Sequence, residues 1–137
     1  MIATACVDAA GGMMFNRRRQ SRDRVVRQQI LQDSQGCRLW MNAYSCSQFS
    51  KEEQAEIRTD AGFLEKAGEG DWCFVEDTGL LRYEARIRRI VLFNWNKKYP
   101  ADFWFDIPLK EHGWKLKHTQ EIKGFSHEKI TKETYQR

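Results

Sequence analysis

The sequence lacks the features of a membrane or secreted protein. It has no run of about 18 apolar residues, the length that a membrane-spanning helix needs. Its N-terminal segment, MIATACVDAAGGMMF, is apolar and its arginines follow it. A secretory signal has its positive charges first. These absences predict a cytoplasmic protein that has no membrane partner.

Cysteine and histidine are few and scattered. The four cysteines are Cys6, Cys37, Cys46 and Cys73, and no two have the CxxC spacing of a zinc knuckle. The three histidines are His112, His118 and His127. We therefore predict buried, free thiols in a reducing compartment and no metal site.

What the chain does contain is typical of one globular domain over residues 1–137. Hydrophobic residues make up 41% and aromatic residues 12%, enough for a packed core. The net charge of +4 permits an acidic partner without requiring one.

Hydrophobic periodicity predicts alternating strands and helices followed by a final antiparallel pair of strands. The predicted strands are 2–7, 37–42, 71–75, 86–96, 113–120 and 127–135. The first predicted helix runs from a cap at Ser21 to about residue 32. A second follows a capping box at Ser50–Glu53, and two more cover 60–68 and 78–85. This order predicts an α/β domain of three layers, with a central mixed, mostly parallel sheet of about six strands and a charged edge strand at the end.

The densest cluster of charge is FNRRRQSRDR, residues 15–24, with five arginines and one aspartate. Arginine binds carboxylate and phosphate groups through its planar fork. We expect one or two of Arg17, Arg18, Arg22 and Arg24 to hold an anion. Two alternatives stay open: a solvated loop whose arginines pair with surface acids, and a nucleic-acid surface in which nearby aromatic rings stack on bases.

Several segments resemble the dihydrofolate reductases in order along the chain. They are CVDAAGGM in the first strand and loop, WMNAYS after the second strand, CFVEDTGLLRYEARIRRIVLFNW, and PADFWFD followed by Trp114 and two final strands. The resemblance covers nearly the whole chain but requires a deletion between about Phe49 and Asp60, where the family has a strand. It implies a dihydrofolate reductase-like fold.

The resemblance also implies a ligand cleft between the first strand and the first helix. The ligand-binding residues predicted there are Met13, Asn16, Arg17, Arg18, Arg22, Asp23, Arg24, Tyr44, Ser45 and Phe93. Asp23 matches a carboxylate near the start of the family's first helix, so it is the candidate catalytic residue, as a proton relay or as a partner for a polar ring.

The chain departs from the family at the cofactor positions. Glu76 and Asp77 stand where the family has the two glycines that approach the cofactor pyrophosphate, and two carboxylates repel phosphate. Ala43 replaces an arginine that contacts a cofactor phosphate, and Phe93 replaces a threonine beside the substrate ring. We therefore expect no ordinary binding of NADPH and no other cofactor.

The chain also resembles short bacterial proteins often labelled ribonuclease Z. That nuclease needs a two-zinc site with His-x-His-x-Asp-His spacing, which these three histidines lack.

His127 and Glu128 are not expected to form an acid–base pair, because adjacent strand residues point to opposite faces.

Three hypotheses for the function follow. The first is a protein or divergent enzyme that binds an anionic small molecule. The second is a non-catalytic module that binds a protein partner, and the third is a nucleic-acid-binding protein.

Overall fold

A computed structural model describes all residues, Met1–Arg137. Its ten strands are β1 (Ile2–Val7), β2 (Gly12–Phe15), β3 (Arg18–Arg19), β4 (Leu39–Met41), β5 (Ile57–Thr59), β6 (Trp72–Phe74), β7 (Arg89–Asn94), β8 (Phe103–Trp104), β9 (Lys115–Ile122) and β10 (Ile130–Gln136). Its helices are α1 (Arg24–Asp33), α2 (Ala43–Cys46), α3 (Lys51–Gln54), α4 (Phe63–Lys66) and a 3₁₀ helix (Leu81–Arg86).

Seven strands form the central sheet, in the order β5-β4-β6-β1-β7-β10-β9. The five strands from β5 to β7 are parallel to one another. Strand β10 is antiparallel to both β7 and β9. The predicted mixed, mostly parallel sheet is therefore confirmed.

The sheet is buried on both faces, which gives the molecule three layers. Side chains alternate along β1, so that Ile2 packs with Val26 and Ile30 of α1 on one face. Ala3 and its neighbours on the other face pack with Phe63 of α4. Parallel strands covered on both sides need continuous apolar sequence, which explains why β1, β6 and β7 lack the polar alternation of a surface strand.

Three predictions about elements were wrong. Strand β5 lies inside the segment where a deletion was expected, and it is an edge of the sheet. The final strand β10 is not an edge, because it lies between β7 and β9. Helix α1 is capped by Asp23 rather than Ser21, because the Asp23 side chain accepts a hydrogen bond from Val25 N. The capping box at Ser50 and Glu53 is confirmed.

A second, small sheet contains the first three arginines of the cluster, Arg17 in a turn and Arg18 and Arg19 in a strand. Strands β2 and β3 form a hairpin in which Phe15 pairs with Arg18 and Met14 with Arg19, and β8 pairs with the other side of β2. The two turn residues, Asn16 and Arg17, have φ values of 53° and 62°. A two-residue hairpin turn with positive φ at both positions matches the right-handed twist of its strands.

Candidate functional site

The carboxyl ends of the parallel strands meet at one edge of the sheet, the usual place for sites in α/β folds. Asp8 follows β1, Asn42 follows β4 and Glu76 lies two residues after β6. Asp8 organises the loop after β1, because its side chain accepts hydrogen bonds from Ala10 N and Gly12 N. The hairpin β2–β3 brings the arginines to the same edge.

Arg19 is the one arginine of the cluster that points inward, since it pairs across the hairpin with the buried Met14. Its Nε and Nη2 donate to Glu76 Oε2 and Oε1 at 2.9 and 3.1 Å. Its guanidinium carbon lies 4.2 Å from the ring centre of Tyr44. Gln48 Nε2 also donates to Glu76 Oε1, at 3.2 Å.

This ion pair is largely removed from water. The side chain of Arg19 is 17% exposed and that of Glu76 is 7% exposed. A bidentate pair with this burial fixes both side chains. It therefore joins the hairpin to the segment that follows β6.

Beside the pair lies an open depression of about 410 Å³. Its lining residues are Arg18, Arg19, Ser21, Arg22 and Tyr44. No acid lines it, and Arg18 and Arg22 form no salt bridge, so the depression is positively charged. We call it the arginine depression.

Most of the arginine cluster has no acidic partner. Arg17, Arg18, Arg22 and Arg24 form no salt bridge, and only Arg19 pairs with an acid. Arg24 instead lies over the ring of Phe125, 4.2 Å from its centre. The alternative in which surface acids neutralise the arginines therefore does not describe these four arginines, and the acid that pairs with Arg19 is itself buried.

The structure brings some of the predicted site residues together and separates others. Arg18, Arg22 and Tyr44 line the arginine depression. Asn16 and Arg17 form the hairpin turn, and Arg17 lines a different depression that also contains Asp77 and Asp102.

Three other predicted ligand residues lie in the interior. Met13 and Phe93 are buried, one in each core. Ser45 is buried on α2, and its hydroxyl has no hydrogen-bond partner. Their roles as ligand contacts stay predictions.

Asp23, the candidate catalytic residue, is buried at the start of α1. Its Oδ1 accepts from Val25 N and Phe125 N, and its Oδ2 accepts from Ser126 N and His127 Nδ1, all at 2.8–2.9 Å. Burial alone would raise the pKa of Asp23, but these hydrogen bonds outweigh it and hold that pKa well below its usual value. Asp23 is therefore an anion that ties the loop before β10 to helix α1.

His127 was expected on the last strand, but it lies in the loop before β10. Its ring stacks on Trp95 with 4.5 Å between ring centres, and its side chain is 8% exposed. Its Nε2 is 2.7 Å from Ser21 Oγ. Sequence reasoning missed Ser21 and His127 as partners, because 106 residues separate them along the chain.

The four cysteines are unpaired, as predicted, but they are not all buried. Cys46 and Cys73 are buried, Cys6 is partly buried and Cys37 is exposed. Burial raises the pKa of Cys73 to about 12, so this thiol stays protonated at neutral pH.

Comparison with solved structures identifies the fold. A dihydrofolate reductase from Enterococcus faecalis, complexed with NADP(H) and RAB-propyl, superposes with a TM-score of 0.67. The alignment covers 100% of this chain and 96% of that one, at 10% sequence identity. No protein-family model and no curated protein matches the chain. The chain therefore has a dihydrofolate reductase-like fold.

Two further findings concern the whole molecule. No helix is long and apolar enough to span a bilayer. No group of three or more histidine, cysteine, aspartate or glutamate side chains is arranged to hold a metal ion.

Proposed function

We propose that the protein binds an anionic small molecule in the arginine depression, on a dihydrofolate reductase-like scaffold that no longer uses NADPH. One observation carries this proposal: Arg18 and Arg22 are exposed, line a common depression and have no acidic partner. Guanidinium groups held by a hairpin and by the loop before a helix offer a fork of donors to a carboxylate or phosphate.

The residues at the expected cofactor positions do not fit a pyrophosphate. Glu76 fills one glycine position with a carboxylate that is already paired with Arg19. Asp77 fills the other, and its Oδ1 accepts a hydrogen bond from Asn42 Nδ2 at 2.8 Å. A pyrophosphate would have to displace Arg19 and approach two negative charges, which supports a ligand other than NADPH.

A protein partner is the second candidate. Phe15 and Trp104, on the small sheet, are 47% and 50% exposed. Large exposed rings are enriched in protein-binding surfaces. A nucleic acid has no comparable support, because Asp77 and Asp102 interrupt the positive surface around Arg17.

Thermal unfolding in the presence of inorganic phosphate, citrate or NADPH tests the proposal. An anion at ten times its dissociation constant stabilises the native state by about 1.4 kcal/mol. For a chain of this size, that raises the melting temperature by roughly 4–6 °C. We expect a saturable rise with phosphate or citrate and none with NADPH.

The variant R18Q/R22Q should abolish the rise. The matched control is K115Q/K117Q, which removes the same charge from exposed positions on β9 and should leave the rise intact. The proposal is wrong if neither anion raises the melting temperature, or if both variants respond as the unmodified chain does.

A further inference from the structure

Ser21, His127 and Asp23 form a continuous hydrogen-bonded chain. Ser21 Oγ is 2.7 Å from His127 Nε2, and His127 Nδ1 is 2.8 Å from Asp23 Oδ2. These are the atoms and the order of contacts that join a serine nucleophile, a histidine base and an orienting carboxylate. The function proposed above uses none of these contacts.

The protonation pattern of the chain follows from Asp23. Because Asp23 is an anion, it can only accept a hydrogen bond, so His127 Nδ1 carries a proton and donates. In the neutral imidazole the lone pair is then on Nε2, which faces Ser21 Oγ. The histidine is therefore oriented to accept the proton of the serine hydroxyl.

Burial is distributed as a nucleophilic site requires. The side chain of Asp23 is fully buried. The side chain of His127 is 8% exposed and stacks on Trp95. Ser21 is partly exposed and lines the arginine depression. The base is shielded from water, while the residue that would react borders an open depression.

The loop before β10 has anchors other than the contact of Ser21 with His127. Asp23 already binds the loop through Phe125 N and Ser126 N, and Trp95 covers the histidine ring. A purely structural role would let Ser21 satisfy the Nε2 of the largely buried His127 ring, and the reactivity of the Ser21 hydroxyl distinguishes that role from a nucleophile.

We propose that Ser21 is a nucleophile activated by His127, with Asp23 as the positioning residue, and that this site hydrolyses carboxylic esters. That the ester carries a negative charge rests on the function proposed above, because Arg18 and Arg22 would hold it. The nucleophile itself is independent of that function.

The reaction balances with water as the only co-reactant. Ser21 Oγ bonds to the ester carbonyl carbon while its proton moves to His127 Nε2. The bond from that carbon to the alkoxy oxygen breaks, and the alcohol leaves with the proton from His127. Water then attacks the acyl-serine, gives one proton to His127 and releases the carboxylic acid, and that proton returns to Ser21 Oγ.

A fluorophosphonate probe tests the nucleophile directly. We expect one adduct per chain in the intact mass spectrum, located on Ser21 by peptide mapping. The S21A variant should lose the adduct, and H127Q should form it at least a hundredfold more slowly. The control S47A removes an exposed hydroxyl that bonds Tyr44 O and should react as the unmodified chain does.

The adduct on the unmodified chain is a test in itself, so the proposal can still be refuted if H127Q fails to fold. The proposal is overturned if the folded chain forms no adduct on Ser21, or if folded H127Q forms it at the unmodified rate. The melting temperature of each variant establishes that it is folded.

Two ester substrates separate this proposal from the preceding one. We expect p-nitrophenyl acetate and mono-p-nitrophenyl succinate both to be hydrolysed, the anionic ester faster, with R18Q/R22Q removing the preference. Equal hydrolysis of the two esters supports the nucleophile and contradicts the anion site. Hydrolysis of neither overturns the assignment of ester hydrolysis to this site and leaves the anion site to be decided by its own thermal test.

Discussion

The Arg19–Glu76 ion pair allows a quantitative test of whether its two side chains are buried and energetically coupled. The test is a double-mutant cycle made of R19M, E76L and R19M/E76L. Each single variant leaves one charge in a poorly solvated place, whereas the double variant leaves none. The expected result is therefore strong non-additivity.

The magnitude follows from the burial of the two side chains. Removing one partner of a buried ion pair costs about 3–5 kcal/mol, because the remaining charge is uncompensated. Arg19 retains 17% exposure and a contact with the Tyr44 ring, so E76L should cost less, about 2–4 kcal/mol. R19M leaves Glu76 with Gln48 alone and should cost about 3–4 kcal/mol.

The double variant should lie within about 1 kcal/mol of the unmodified chain, because apolar side chains of similar volume replace a buried pair at little cost. The coupling energy is then several kcal/mol. Urea unfolding followed by tryptophan fluorescence measures all four stabilities, since Trp72, Trp95 and Trp114 are buried.

A second cycle on Glu121 and Lys129 is the control. Their ion pair has a similar distance, 3.0 Å, but both side chains are exposed. Exposed pairs contribute about 0–1 kcal/mol, so E121L, K129M and their combination should be nearly additive. If the Arg19–Glu76 cycle is also additive within about 0.5 kcal/mol, the pair is not a buried, coupled unit and our account of this contact is wrong.

Two further predictions concern the contacts around Asp23. Its lowered pKa means that it contributes stability above about pH 4, the usual range of an unfolded aspartate, and that this stability is lost as the pH falls toward the folded pKa. Asp23→Asn should therefore cost about 2–3 kcal/mol at pH 7 by urea unfolding, and the cost should begin to fall below about pH 4 and keep falling as the pH approaches the folded pKa. A cost that is the same at pH 7 and at pH 3 would contradict the assignment. Gly124→Ala would place a Cβ atom 2.6 Å from Asp23 Oδ2 and 2.8 Å from His127 O. The variant should therefore lower the free energy of unfolding by about 1–3 kcal/mol in the same assay. An unchanged urea midpoint would show that the loop moves aside without cost.

The order of elements could be predicted from the sequence because it depends on local patterns. Apolar runs at β1, β6 and β7 bury both faces, and the capping box at Ser50 satisfies its own helix end. The position of β10 could not be predicted in this way. Its mixture of lysine, glutamate and threonine is typical of an edge strand, yet β9 covers it by pairing that no local pattern specifies.

The candidate site was predictable only in its composition. The sequence shows five arginines, but which of them points inward depends on the register of the hairpin. A turn predicted at Asn16 and Arg17 would have paired Arg19 with the apolar Met14, and that pairing would have indicated that the Arg19 side chain points inward. The contacts of Asp23 and Ser21 with His127 join residues more than 100 positions apart, and one sequence carries no distance information at that range.

The arrangement of the final strands has a consequence for local unfolding. Strand β9 is hydrogen-bonded to the sheet only through β10, while β10 is bonded on both sides. Any opening that frees β10 from β7 and β9 must therefore release β9 too, but β9 can detach alone. Amide protons in β9 should exchange with deuterated solvent at least as fast as those in β10, so the outermost strand is the first part of the sheet to become labelled.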